Sequence, residues 1–412
     1  MTNQVSQLEK RPGPVSNFYL VLATFSLFIQ IPTITRVTIG SILFLLLGVP
    51  MWKNLQTSKR MKDLNNWAIY TLLVCCFLPL LTLVLDTGRR FDLNSYFTAL
   101  LAVGQFYIIF LATFLSIKRL GLGFALLLLA SGAALNFLQI TEGDPTINPW
   151  KYYLVWPLSI LGCLCAARAR FPLNIGIVGA LVWVSANTGS RNAILVLSIA
   201  LVTSVFLTSP RLAPILSPKL INRFFISILF ALLFFVPMFL SWIAQGGLGS
   251  DLQNRQLEQL QIGALGSRVE PTVGFGLMLN SPLGIGAGVR PSTADVAAGI
   301  STFTTLLRPD PVSVNYVVNK VLGLTVELHS VLFNFWVVAS VVGLLFGFKI
   351  LATQFMSLRY LANSKYVIAV SFLLFQSFWD MLFSPLIVNA KYCAVALAVS
   401  VFITSDAERD SV

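Results

Sequence analysis

The chain has 412 residues, 56% of them hydrophobic and 11% charged, with a formal net charge of +12. Soluble domains carry about a quarter charged residues, so this balance excludes an ordinary globular domain and belongs in lipid. The positive charge would point to nucleic acid in a soluble chain. Here lysines and arginines held at the cytoplasmic ends of membrane helices, beside anionic lipid, account for it, and nucleic acid is set aside as a partner.

Twelve apolar runs follow one another, over residues 18–34, 37–52, 67–85, 95–117, 121–140, 152–167, 172–187, 191–208, 224–243, 329–348, 366–386 and 390–404. Each is about long enough to cross a hydrocarbon core of roughly 30 Å as a helix, the form that satisfies its own backbone in lipid. Membrane strands would alternate apolar and polar residues, and these runs do not. Residues 1–17 are polar, and no cleavable signal peptide is expected ahead of the first run. The cysteines, Cys75, Cys76, Cys163, Cys165 and Cys393, all lie inside apolar runs without metal-ligand spacing and read as small core residues. No cofactor or metal is called for.

The expected architecture is therefore an all-α polytopic membrane protein with about 12 transmembrane helices and a large periplasmic loop. It divides into an N-terminal bundle over 1–243, the loop over 244–328, and C-terminal helices with a tail over 329–412. Charge orients it. The short loops on one side hold only Arg36, Arg89, Arg90, Lys151, Arg191 and Lys391. The other side holds Lys53, Lys59, Arg60, Lys62, Lys118, Arg119, Arg168, Arg170, Lys349, Arg359, Lys365 and more. The excess marks the cytoplasmic side, which places both termini in the cytoplasm of a bacterial inner membrane and the 244–328 loop outside. That loop is too short for an ordinary domain with its own core. Asp251 to Leu265 reads as a short helix, after which Pro271, Pro282, Gly284, Gly286, Gly288 and Pro291 break the chain. A lid of short helices and turns over the outer face is expected.

Few residues could carry chemistry. His329 is the one histidine, where the loop ends and a span begins, and imidazole is the side chain suited to accept a proton near neutral pH. Arg191, in Thr188-Gly-Ser-Arg-Asn192, opens a helix at the outer surface, where a guanidinium fork and a helix N-terminus both suit phosphate. Arg268 precedes a Gly-rich turn, Asn280-Ser-Pro-Leu-Gly-Ile-Gly-Ala-Gly-Val-Arg290, whose amides could form an anion nest with Arg290 beside them. Asp380 lies inside a span, where a carboxylate is costly unless it faces a cavity or a partner. Glu327 and Asn334 flank the histidine and join Asp380 as cavity or acceptor residues. Taken singly, an interfacial histidine is more often a cap, a loop arginine more often snorkels, and a glycine turn is more often only a turn. Together they converge on one face.

The order Thr-Gly-Ser-Arg-Asn-Ala opening a span, Arg268 in the long loop, Ser-Pro-Leu-Gly-Ile-Gly, and Glu-Leu-His-Ser at the next span resembles the bacterial O-antigen ligase and polysaccharide polymerase superfamily. The motifs cover roughly residues 180–350. Many members carry asparagine directly after the histidine; this chain has Ser330 there and Asn334 one turn later. The tryptophan that members often carry just beyond the loop arginine is absent.

The resemblance implies a GT-C-like glycosyltransferase bundle serving O-antigen or another surface polysaccharide, with no cofactor. Its donor would be an oligosaccharide on undecaprenyl pyrophosphate, presented at the periplasmic leaflet, and its acceptor a glycan or lipid, with other polysaccharide-assembly proteins as partners. Arg191, Arg268 and Arg290 would hold the pyrophosphate, and His329 would activate the acceptor hydroxyl. Transfer would be metal-independent and would invert the anomeric carbon. Ligase and polymerase share this donor chemistry, and polymerase is the preferred reading. The rival is a transporter or flippase of lipid-linked oligosaccharide, which should show matched broken helices in two halves and a charge-lined path through the midplane.

Overall fold

The structure is a computed structural model that describes residues 14–31, 34–48, 59–86, 88–135, 149–170, 172–188, 190–208, 270–307, 314–315, 317–323, 326 and 328–410, with a few isolated positions between 220 and 245. It is an all-α membrane-embedded fold. The helices are α1 (Pro14–Phe25), α2 (Ile39–Gly48), α3 (Lys59–Leu85), α4 (Leu93–Leu120), α5 (Leu122–Leu135), α6 (Val155–Ala166), α7 (Leu173–Asn187), α8 (Arg191–Thr208), α9 (Glu270–Asn280), α10 (Thr293–Leu307), α11 (Val331–Ser357), α12 (Val367–Phe383) and α13 (Leu386–Asp410). Four of them, α3, α4, α11 with its 3-10 continuation, and α13, are long and apolar enough to cross a bilayer. Shorter apolar helices surround them, among them α5 to α8 and α12.

The start of the chain departs from two plain spans. Helix α1 ends in a 3-10 turn at Phe28, and a two-stranded antiparallel hairpin, β1 (Gln30–Ile31) with β2 (Ile34–Thr38), precedes the ten-residue α2. Pro32 and the β-branched run Ile34-Thr-Arg-Val-Thr38 favour extended backbone over helix there. Apart from isolated positions, the run at 224–243 lies outside the described residues, as does the helix expected over Asp251 to Leu265.

The core is built on α4. Its nine residues Ile109 to Ile117 are all buried, so this helix is enclosed on every side, as expected of a segment without an amphipathic stripe. Phe106 of α4 meets Phe335 and Phe346 of α11 edge-to-face at 5.7 and 5.8 Å. At one end of the bundle Lys349 of α11 pairs with Asp63 of α3 and lies over the Trp67 ring. At the other end the chain between α9 and α10 enters the bundle.

That entry is the unusual feature of the fold. Pro79 lies six residues before the end of α3 and Val337 six residues after the start of α11, so each sits about 9 Å along its helix at ~1.5 Å per residue. The turn around Gly286 reaches both: a Cβ on Gly286 would lie 3.0 Å from Pro79 Cα, and the Ile285 and Gly286 amides donate to Val337 O at 3.1 and 2.8 Å. Trp336 Nε1 donates to Pro282 O at 3.1 Å. Helix α11 breaks to receive it. Ala339 (φ −136°, ψ 22°) and Ser340 (φ 62°, ψ −160°) leave helical geometry, so the Val337 carbonyl turns to the loop's amides. Where a lid lying over the face was expected, residues 281–290 are wedged between α3, α4 and α11.

Glycine is required in this wedge. Gly284 and Gly288 have φ of +83° and +71°, and a Cβ on either would come within 2.6 Å of a carbonyl oxygen, that of Trp336 or Asp92. Ser340, by contrast, holds a conformation that only glycine adopts readily. Ser340→Gly should therefore stabilise the protein by about 1–3 kcal/mol, while Gly288→Ala should destabilise it by at least as much. Thermal unfolding of the detergent-solubilised variants measures both, and a melt of Ser340→Gly below wild type would show that the serine side chain holds the break.

Candidate functional site

The wedge is anchored by a buried ionic cluster. Ser292 and Asp295 form a reciprocal cap at the start of α10: Asp295 Oδ2 accepts from Ser292 N at 2.8 Å, and Ser292 Oγ accepts from Asp295 N at 3.2 Å. The other carboxylate oxygen accepts from Asn280 Nδ2 and Ser281 Oγ at 2.8 and 2.6 Å. Arg89, its side chain 8% exposed, pairs with Asp295 and with Asp86 at 2.9 Å each. One arginine thus ties the α3–α4 connection to both ends of the wedge.

Burial alone would raise the Asp295 carboxyl above its ordinary 3.8, and the donors Ser281, Asn280 and Ser292 outweigh burial and hold it below that value. A carboxyl depressed in the folded state contributes stability that is fully present above 3.8 and is lost as pH falls through the folded value. Asp295→Asn leaves the buried Arg89 charge without this partner and should cost about 3–5 kcal/mol. In thermal melts the gap between wild type and Asp295→Asn should stay constant above about pH 4 and narrow below it. A gap that widens on acidification would mean that Asp295 folds protonated.

The wedge also organises the start of α4. Asp92 N donates to Gly288 O at 2.8 Å, Arg290 N donates to Arg90 O at 3.0 Å, and Phe91 pairs with Val289 in an isolated bridge. Asp92 caps α4, accepting from Ser95 N at 3.3 Å and from the Ser95 hydroxyl. That hydroxyl bond pushes the Asp92 carboxyl down, opposed by some desolvation and assisted by the Arg290 charge. Arg290 is half-buried, and its Nε is buried with no hydrogen-bond partner among the described residues.

His329 sits in the turn that opens α11. Ser330 caps the helix, accepting from Phe333 N at 3.3 Å, and its hydroxyl donates to Met381 O of α12 at 3.0 Å. Asn334, one turn on, reaches back. Its Nδ2 donates to Leu328 O and, at 3.0 Å, to Ser330 O, while its Oδ1 accepts from Leu328 N at 3.2 Å. The backbone is pinned on both sides of the histidine, which is itself half-buried. Asp380, next to Met381 and buried, accepts from Gln376 Nε2 at 3.0 Å and Ser384 Oγ at 2.7 Å. The Ser330–Met381 bond therefore sets the His329 turn against the end of α12 that carries Asp380.

A cavity of about 200 Å³ lies beside this turn, lined by Gly286 to Val289, by Asn94, Ser95 and Thr98 of α4, and by Asn334. His329 is not part of its lining. Of the residues singled out in the sequence, Arg290 ends the wedge and Asn334 lines its cavity, while His329 and Asp380 are linked to it through the Asn334 clamp and the Ser330–Met381 bond. Arg191 is the first residue of α8, but its side chain is outside the described residues, as are Arg268 and Glu327 altogether. Asn334, expected to face an acceptor, spends its amide on the backbone around His329. Sequence reasoning missed Arg89 and Asp295. The signal for the second was present in Ser292-Thr-Ala-Asp295, a capping box before an apolar run.

No family model, curated protein or solved structure matches the chain.

Chemically, the arrangement offers hydroxyls and amides around a cavity, an arginine with an uncommitted donor, and one imidazole whose turn is held rigid. Such a set can hold a polar group, neutralise anionic oxygens and move one proton.

Proposed function

We propose that the chain is a membrane glycosyltransferase that transfers or polymerises a lipid-pyrophosphate-linked glycan at the outer face of the bacterial inner membrane. One observation carries this reading. The single histidine of the chain stands in a turn clamped by Asn334, which lines the cavity formed with the glycine wedge, and Ser330 ties that turn to Met381, the neighbour of Asp380. The order of motifs along the chain, described above, adds the donor class. In this reading His329 removes the proton of an acceptor hydroxyl and the freed oxygen attacks the anomeric carbon. The bond from that carbon to the pyrophosphate oxygen breaks, and the lipid pyrophosphate leaves with inversion. Arg290, with Arg191 and Arg268, would stabilise the charge gathering on the leaving group, which charge-assisted bidentate hydrogen bonds suit.

Twelve spans, cytoplasmic termini and a periplasmic 244–328 loop belong to the same proposal. So does the preference for a polymerase, which joins two lipid-linked repeats, over a ligase, which needs a different lipid acceptor. The transporter reading expects matched broken helices in two halves; among the described residues the helix interrupted by non-helical backbone is α11, at Ala339 and Ser340.

The test is to incubate purified protein with an undecaprenyl-pyrophosphate-linked oligosaccharide and analyse the glycan for longer products. His329→Ala should lower turnover by roughly two to four orders of magnitude, the usual worth of a general base, with donor binding retained. His329→Gln should be equally impaired, because an amide can hydrogen-bond but takes no proton. Near-normal turnover in the glutamine variant would reduce His329 to a structural residue of the turn. A reporter fused near residue 285 should read as periplasmic, and a cytoplasmic signal there would remove the site from its donor.

A further inference from the structure

Lys391 falls in a short outer connection when only the sequence is considered. In the structure it is the sixth residue of α13, and its ammonium lies 5.5 Å from the Phe28 ring centroid and 5.3 Å from that of Tyr392. Those rings stack at 5.6 Å, with Trp156 4.6 Å from Tyr392. Among the described residues no carboxylate pairs with this ammonium. A lysine needed only at the interface would snorkel to water. This one instead lines a second cavity, of about 250 Å³, together with Gln30, Gln105 and Phe106. Ala102 to Phe106, the α4 part of that lining, lie nine to thirteen residues beyond Leu93, roughly 13–20 Å along the helix. A cation at that depth is costly unless it meets a partner, and a charge facing a cavity within a membrane bundle marks a ligand path.

The second cavity adjoins the first. Ile387 lines both, and successive turns of α4 continue from one to the other: Asn94, Ser95 and Thr98 above, Ala102 and Gln105 below. The polar side chains Asn94, Ser95, Thr98, Gln105 and Gln30 thus form a track from the glycine wedge down to Lys391, with apolar Phe106 and Val388 on the walls. Two carboxamides and one ammonium over aromatic rings suit an anion that also accepts several hydrogen bonds. A carboxylate would use fewer of these donors than a phosphate does.

We propose that Lys391, with Gln105 and Gln30, is a binding site for a phosphate group at the inner end of this track. The site stands on its own geometry and does not depend on the transferase reading. Two sources carry this chemistry, a free phosphate and a lipid headgroup whose chain runs out along the apolar wall. The full-length protein in non-ionic detergent would be titrated calorimetrically with inorganic pyrophosphate. In parallel it would be placed in phosphatidylcholine nanodiscs with and without phosphatidylglycerol, and bound lipid counted by native mass spectrometry. Binding of pyrophosphate alone assigns a soluble anion, and retention of phosphatidylglycerol alone assigns a headgroup. In either case Lys391→Met should weaken binding about tenfold or more, the loss of a charge-assisted hydrogen bond, while Lys391→Arg keeps most of it. No binding of either probe to wild type, or wild-type affinity in Lys391→Met, overturns the proposal. If the methionine variant does not fold, Gln105→Leu decides, and unchanged affinity there overturns it as well. Glycan transfer is not read in this experiment, so its outcome is separate from that of the enzymatic assay.

Discussion

The structure depends on one shared acceptor, the Val337 carbonyl, which takes both the Ile285 and the Gly286 amides. Irregular backbone inside a membrane bundle is tolerated only where protein satisfies its hydrogen-bonding groups. A straight α11 would direct that carbonyl to the amide four residues on. The break at Ala339 and Ser340 turns it over to the loop instead. Helix and wedge therefore fold as one decision: without the break the turn has no acceptor at depth, and without the turn the break leaves a carbonyl unsatisfied in an apolar interior.

From this follows the placement of charge. The wedge buries Ile285, Ala287 and Val289 in the core and is fastened as well by polar groups: Arg89 to Asp295, Asp92 to Gly288, Trp336 to Pro282. Each bond is made between the α3–α4 connection or α11 and the loop. The ends of α3, α4 and α11 beside the wedge are thereby fixed relative to one another by a segment whose residues 284–289 are buried. The same fastening gives the cavity its wall, because the backbone of Gly286 to Val289 lines it. A site built on backbone this constrained keeps its shape without a large hydrophobic domain above it.

Much of this was legible in the sequence, and the reasons for what was not are specific. Apolar runs marked the helices because lipid demands length and hydrophobicity, which composition records directly. The glycine cluster at 284–288 marked a turn, and the positive φ at all three glycines is what such a cluster serves. Depth was not legible: a loop over the surface and a loop wedged beneath it have the same local composition, and only the partner carbonyl distinguishes them. The hairpin Gln30–Thr38 was hidden for a related reason, since β-branched apolar residues satisfy a hydropathy window as well as helix formers do. Lys391 was counted with the loop charges because it stands at the very start of the run 390–404, and a charge that faces a cavity inside a helix defeats that assignment. Arg89 was read only as a loop charge, because ion-pair partners about two hundred residues apart leave no local pattern.

The position of Ser340 bears on what the fold is for. Its backbone holds a conformation worth about 1–3 kcal/mol of strain, and α11 would be more stable unbroken. A chain selected for stability alone would have glycine there, or no break. What the break provides is the wedge, and what the wedge provides is a cavity at the end of the bundle where Asn334 holds the His329 turn and Ser330 binds it to α12. Beside the histidine stands a serine that caps α11, and one turn later an asparagine that clamps the same backbone. Among the described residues the strained Ser340 and the buried Arg89–Asp295 pair lie at that end, while the opposite end carries the Lys349–Asp63 pair. Local departures from stability that gather around a single cavity are the signature of a site rather than of a scaffold.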